Sequence, residues 1–191
     1  MERVQRLLPK KLEFAPVSHK NAIDQLTDEN LKTILRYVYV RNPDWWNWNG
    51  PEYTVENEVN KVHEEIRNNK ADKGTQTTIA SIGQALLNKN SPDKHDTLKN
   101  IHELWELITL NYENIDKIEE RRLDQFKDFD DLSPEEQQKD QVWIDAVNES
   151  IKSGGAKRKS RKSRKSKKSR KSRKSRKSKK SRKSRKSKGK K

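Results

Sequence analysis

The stretch SPDKHDTLKNIHELWELITLNYENI, Ser91 to Ile115, decides how the chain folds. Its apolar residues Leu98, Ile101, Trp105, Leu107 or Ile108, Tyr112 and Ile115 return at intervals of about three or four, the repeat that places side chains on one face of an α-helix. Ser91 followed by Pro92 reads as an N-cap with proline in the first helical position. A strict a/d seam would make this helix a dimeric coiled coil, but Leu104, Leu107, Leu110 and Ile118 widen the stripe. A stripe that broad is buried by several neighbours, so the stretch predicts a helix within an intramolecular bundle.

The same spacing continues on both sides. Thr27 caps a helix to about Val40, with Leu31, Ile34, Leu35 and Val38 on one face, and Arg41, Asn42 and Pro43 stop it. Thr54 opens another, with Val55, Val59, Val62 and Ile66 in register. ADKGT, Ala71 to Thr75, reads as a loop before a short helix from about Thr77 to Asn88 that carries Ile79, Ile82 and Leu86. Ser133, Pro134, Glu135 and Glu136 form an S-x-x-E capping box. The helix it starts carries Val142, Trp143, Ala146, Val147 and Ile151 and stops at Gly154 and Gly155. YVYV, Tyr37 to Val40, is the only β-like run. The chain therefore reads as an all-α bundle of about five helices.

Charge divides the chain in two. Lys157 to Lys191 holds 24 Lys and Arg, 10 Ser and no acid, leaving Met1 to Ala156 with 21 bases against all 29 acids. The body is thus near −8 and the tail near +24, a split that the overall +16 conceals. All twelve aromatic residues precede Gly154, so the body has the material for one small core. The tail has nothing to bury and repels itself, so its ordering entropy is not offset. Residues 1–153 are read as a helical body and 154–191 as a disordered tail rich in Ser, Lys and Arg.

Catalytic patterns are missing. Cysteine is absent, which excludes disulfides, thiolate metal sites and thiol nucleophiles. HELWE, from His102, begins like the zinc-protease signature, but Glu106 stands where the second histidine belongs. The other histidines, His19, His63 and His95, form no ligand spacing with it, and solvated or capping roles are expected for all four. Gly50, Gly74 and Gly83 never approach a phosphate-cradling pattern. The acid pairs Glu64–Glu65, Asp130–Asp131 and Glu135–Glu136 read as solvated helix faces and N-termini. The expectation is a non-enzyme with no catalytic residue, no metal and no cofactor.

Two features point to partners. Trp45, Trp46 and Trp48, in DWWNWNGPEY, either plug the gap between helices or form an exposed stacking platform with Arg41 and Asn47, a possible partner surface. The tail supplies the second. Fully extended in polyproline-like form, its 35 residues span about 108 Å with one positive charge about every 4.5 Å. Duplex DNA carries one negative charge per about 1.7 Å of axis, so the tail suits the DNA or RNA backbone and reads no bases. The binding residues expected are Lys157, Arg158, Lys159, Arg161, Lys162, Arg164, Lys165, Arg170, Arg173, Arg176, Arg182 and Arg185.

The serines add a means of control. Ser160, Ser163, Ser169, Ser172, Ser175, Ser181 and Ser184 each precede Arg, as basophilic and SR-directed kinases prefer. Phosphates on all ten tail serines, at about −1.5 to −2 each, nearly cancel the tail's charge. Alternatively, serine is only a soluble spacer.

The KSRKSRKSKK repeat resembles the tails of proteins of giant nucleocytoplasmic DNA viruses, and is similar in chemistry to protamines and linker-histone tails. That resemblance implies a role in viral genome packaging or virion association. In the body, NIHELWE from Asn100 and FDDLSPEEQQKDQVW from Phe129 resemble two pieces of the ryanodine-receptor-type repeat, which implies a helical interaction module without catalysis. Between the pieces, where that family places a glycine-tryptophan and tyrosine-glycine signature, this chain has NYENIDKIEERRLDQ.

The expected function is nucleic-acid association through the tail, with a possible protein partner on the body. The alternative is a protein-interaction module whose tail is a nuclear or nucleolar localisation signal. The location expected is intracellular, nucleus or virion, without signal peptide or membrane span. Attachment to an anionic membrane has no lipidation motif to support it.

Overall fold

The computed structural model describes residues 2–42, 54–70, 72–112 and 124–152. They form α1 (Glu2–Leu7), α2 (Val17–Asp24), α3 (Asp28–Arg41), α4 (Val55–Asn68), α5 (Lys73–Leu87), α6 (Lys94–Tyr112) and α7 (134–152), with 3₁₀ turns at Leu8–Lys10 and Phe129–Asp131. No strand occurs among the described residues, and the fold is all-α, as the apolar spacing predicts. By internal contacts the chain divides into Met1–Ile151 and Lys152–Lys191, and the seven helices build the first. Trp45, Trp46, Trp48, Asn47, Ile115, Ile118, the expected stop at Gly154 and Gly155, and the tail expected to be disordered lie outside the described residues.

Side-chain caps set the helix starts. Thr27 Oγ1 accepts the amide of Asn30 at 3.2 Å and Thr54 Oγ1 that of Asn57 at 3.1 Å, each filling a donor the first turn leaves open. Ser133 Oγ does the same for Glu136 at 3.3 Å, but the Glu136 carboxylate turns to Lys139 and Gln125, so only half of the capping box forms. Two starts differ from the sequence reading. Asp72 Oδ1 accepts the amide of Thr75 at 2.9 Å, so α5 begins at Lys73 and takes in residues expected to be loop. Asp93, not Ser91, opens α6: its Oδ1 accepts the amides of His95 at 2.9 Å and Asp96 at 3.1 Å, while Ser91 Oγ accepts the amide of Asp93. An ionised carboxylate at a helix N-terminus gains from the dipole as well as the hydrogen bonds, which favours Asp93 over Ser91.

Helix α5 is the axis of the body. Every residue from Thr75 to Leu86 is buried, because α2, α4 and α6 all pack on it. Its apolar side chains share one cluster with Ile34, Leu35 and Val38 of α3, Val62 of α4, Ile101 and Ile108 of α6, and Trp143 and Val147 of α7. Three of the buried polar side chains of α5 find partners within the helix or across to the segment around α2, while Thr75 Oγ1 and Gln76 Nε2 are buried without a hydrogen bond. Thr77 Oγ1 donates to the carbonyl of Lys73, Gln76 Oε1 accepts the amide of Ala15, and Gln84 Oε1 meets His19 Nε2 at 2.9 Å.

The first two helices lie where the apolar spacing was silent. Helix α2 turns His19, Lys20 and Ile23 inward, so two of its three buried side chains are polar. It crosses α5 at Gly83, where a Cβ would sit 2.3 Å from His19 Cβ and 2.7 Å from its Cα. Gly→Ala inside a helix normally gains about 0.5–1 kcal/mol. Here the obstacle is backbone and the first side-chain carbon, so α2 must move. We expect Gly83→Ala to destabilise the body, by about 1–3 kcal/mol. A rise in the urea midpoint of that variant would contradict the close crossing.

Candidate functional site

Tail bases, tail serines and the three tryptophans lie outside the described residues, so the structure places none of the expected binding residues together. Arg41, expected to assist the tryptophans, stacks its guanidinium 3.6 Å above the Tyr37 ring of its own helix. What the described residues do assemble is a chain of ionisable side chains, two of them buried, around the HELWE segment of α6.

His102 and Glu106 are one turn apart, and both face inward: the His102 side chain is 6% exposed and that of Glu106 0%. Arg3 of α1 lies against Glu106 with two parallel contacts, Nε to Oε1 and Nη2 to Oε2, both 2.6 Å. The Arg3 guanidinium also bonds Asp128. On the other side, His102 Nδ1 is 3.4 Å from Asp140 Oδ2 of α7, and Nε2 is 3.7 Å from Glu106 Oε1. The order Arg3, Glu106, His102, Asp140 alternates basic and acidic side chains and ties α1 to α6 and α6 to α7. Aromatic rings surround it: Trp105 stacks on His102 at 5.7 Å, and Phe126 and Phe129 flank the pair.

Burial and pairing compete at each group. For His102, burial pulls the pKa down, but the hydrogen bond and charge of Asp140, with the charge of Glu106, outweigh it and hold the imidazole above its ordinary value. Burial pushes the Glu106 carboxyl up, against the hydrogen bond from Arg3. A second buried pair joins α2 to α4: Lys20 Nζ is 2.7 Å from Glu65 Oε1 and 2.6 Å from Asn69 Oδ1. Asn69 takes the left-handed conformation at the end of α4 (φ 52°), which its short amide side chain tolerates.

These placements correct three expectations. His19 and His102 are buried rather than solvated, because α5 and α7 supply polar partners for them. Glu65 is fully buried, not part of a solvated face, because Lys20 meets it from a helix that the sequence reading left unassigned. Trp105 is half-buried at the rim of a second apolar cluster, in contrast to Trp143, which is 3% exposed. The signal available in the sequence was an acid inside an apolar run, Glu106 between Trp105 and Leu107. Its partner, 103 residues away, was not readable.

The arrangement links α1, α6 and α7 through side-chain contacts. The acidic neighbours of the His102 imidazole are two carboxylates, Asp140 at Nδ1 and Glu106 at Nε2. No group of three or more His, Cys, Asp or Glu positioned to hold a metal ion occurs among the described residues. No helix among them is long and apolar enough to cross a membrane. Comparison with known proteins adds no family. No family model, curated protein or solved structure matches the chain.

The two buried histidines shift in opposite directions. Burial lowers the His19 pKa, and its bond to Gln84 only partly restores it. The unfolded chain then binds more protons than the folded one near His19, so this contribution is lost as pH falls below the unfolded value of about 6.5. His102 is raised, so its contribution is present below about 6.5 and lost as pH rises through its folded value. We expect stability to decline on both sides of about pH 6.5, with His19→Gln flattening the acid side and His102→Gln the alkaline side. Denaturation midpoints between about pH 5.5 and 8.5 check this. Slopes that survive both substitutions would contradict it.

Proposed function

We propose that the chain is a non-enzymatic nucleic-acid-associated protein, whose polycationic tail binds the DNA or RNA backbone without sequence preference and whose helical body supplies partner choice. The observation that carries this reading is the charge split, 24 bases and no acid in Lys157–Lys191 beside a body with an excess of acids. A polycation gains affinity by releasing the counterions condensed on phosphates, which needs neither a folded site nor base contacts. The acidic body repels phosphate and so leaves binding to the tail. Genome packaging or virion association is the setting in which such a tail would act, offsetting the charge of crowded phosphates.

Binding to a mixed-sequence duplex, titrated by fluorescence anisotropy across salt, tests the reading. A tail engaging 6–10 phosphates loses about 10³–10⁵ in affinity between 50 and 200 mM salt. A shallow slope, or strong preference for one sequence, would contradict it. The same titration after treatment with a basophilic kinase is expected to show weaker binding, since ten phosphates bring about −15 to −20 against +24. Substituting all ten tail serines by alanine keeps every base and removes the kinase effect. Equal affinities for the treated wild type and the treated alanine variant would leave serine as a spacer.

A further inference from the structure

Helix α1 is attached differently from the rest of the body. Val4 and Leu7, its two buried side chains, do not join the main core but a separate cluster with Leu107, Leu110 and Phe126. Its helical neighbour is α6, and its polar anchor is Arg3 on Glu106 and Asp128. The connection to α2 is pinned at Leu12, whose amide donates to the Leu107 carbonyl at 3.1 Å, while Pro9, Lys10 and Lys11 before it are exposed. Six residues are far below the roughly 12–15 an isolated helix needs, so α1 is helical only while docked. A segment of this kind opens at a free energy well below that of global unfolding.

The surface beneath α1 has the makings of a peptide site. It offers an apolar floor from Leu107, Leu110 and Phe126, and a buried carboxylate, Glu106, placed to take a guanidinium in two-point contact. A buried ion pair is a weak source of stability and a good source of register, which suits recognition better than bracing. The chain's own segment shows what fits: an arginine directly before an apolar pair three residues apart, Arg3, Val4 and Leu7.

We propose that this face of α6 is a docking site for a short amphipathic helix of a partner protein that carries an arginine beside its apolar stripe, and that α1 occupies the site in cis as an autoinhibitory strap. The partner displaces α1 and repeats its contacts, in the helix-in-groove mode. Nothing in this depends on the tail, so it stands apart from the nucleic-acid reading.

The test uses the full chain and a fluorescein-labelled peptide of sequence MERVQRLLPKKL. Leu7→Asp places a charge against Leu107 and Phe126 and expels α1 without touching the main core. The peptide is expected to bind the Leu7→Asp chain about a hundredfold more tightly than the wild type, in which the open state is populated at about one part in a hundred. Adding Glu106→Gln is expected to weaken that binding about tenfold by removing the charge that Arg3 engages. A peptide with serine at positions 4 and 7 keeps the same net charge and is expected not to bind. Three results would overturn the proposal. They are no binding to either chain, equal binding to both chains, and a loss of far-ultraviolet helical signal in Leu7→Asp beyond that of the six residues of α1, which would make α1 part of the core.

Discussion

Glu106→Ala is expected to destabilise the body by about 3 kcal/mol, the low end of the cost of breaking a buried ion pair by removing one partner, because α1 can open and release Arg3 to water. The carboxylate it deletes is fully enclosed and stands between the Arg3 guanidinium and the His102 imidazole, whose side chains are 16% and 6% exposed. Without it they face each other with only Asp128 and Asp140 to compensate from the far sides. Removing both members of the pair is a different experiment. Arg3→Leu with Glu106→Leu eliminates the anion and one cation together, and is expected to cost clearly less than Glu106→Ala alone, since an apolar replacement of a whole ion pair is often neutral. Arg36→Ala sets the scale for a surface pair: Arg36 and Glu56 are each 57% exposed, and their contact is worth under about 1 kcal/mol. Urea denaturation of the three variants at matched pH orders them. A Glu106→Ala chain as stable as Arg36→Ala would mean that the charge chain braces nothing.

How much of this was legible in the sequence depended on whether a helix buries apolar side chains. In α3, Leu31, Ile34, Leu35 and Val38 are all essentially inaccessible, and the cap at Thr27 and the stop before Pro43 were both readable, so the helix fell within one residue of its expected bounds. Helix α4 was as clear from Thr54 and its valines. In α2 the inward residues are His19, Lys20 and Ile23, and polar groups that are buried because a distant partner meets them leave no mark in an apolar count. Helix α1 is too short for any periodicity to register. The same limit hid the charge chain: HELWE was visible as a segment, but Arg3 and Asp140 reach it from opposite ends of the body. The start of α5 was lost for another reason, since Asp72 and Gly74 read as turn residues until the Asp72 carboxylate is seen to cap Thr75.

The charge split, by contrast, needed no fold to be read, and it bears the functional account. On the proposed reading, nucleic-acid affinity belongs to the tail and not to the body. The direct measurement compares the full chain with residues 1–153 for binding to the same mixed-sequence duplex and to RNA, at one salt concentration near physiological. A tail of 24 bases gives the full chain at least nonspecific affinity, of the order of 10⁻⁴–10⁻⁶ M or tighter, while the body at about −8 is expected to show no measurable binding. A shortened chain that keeps most of the affinity would contradict the account and move the binding surface onto the body.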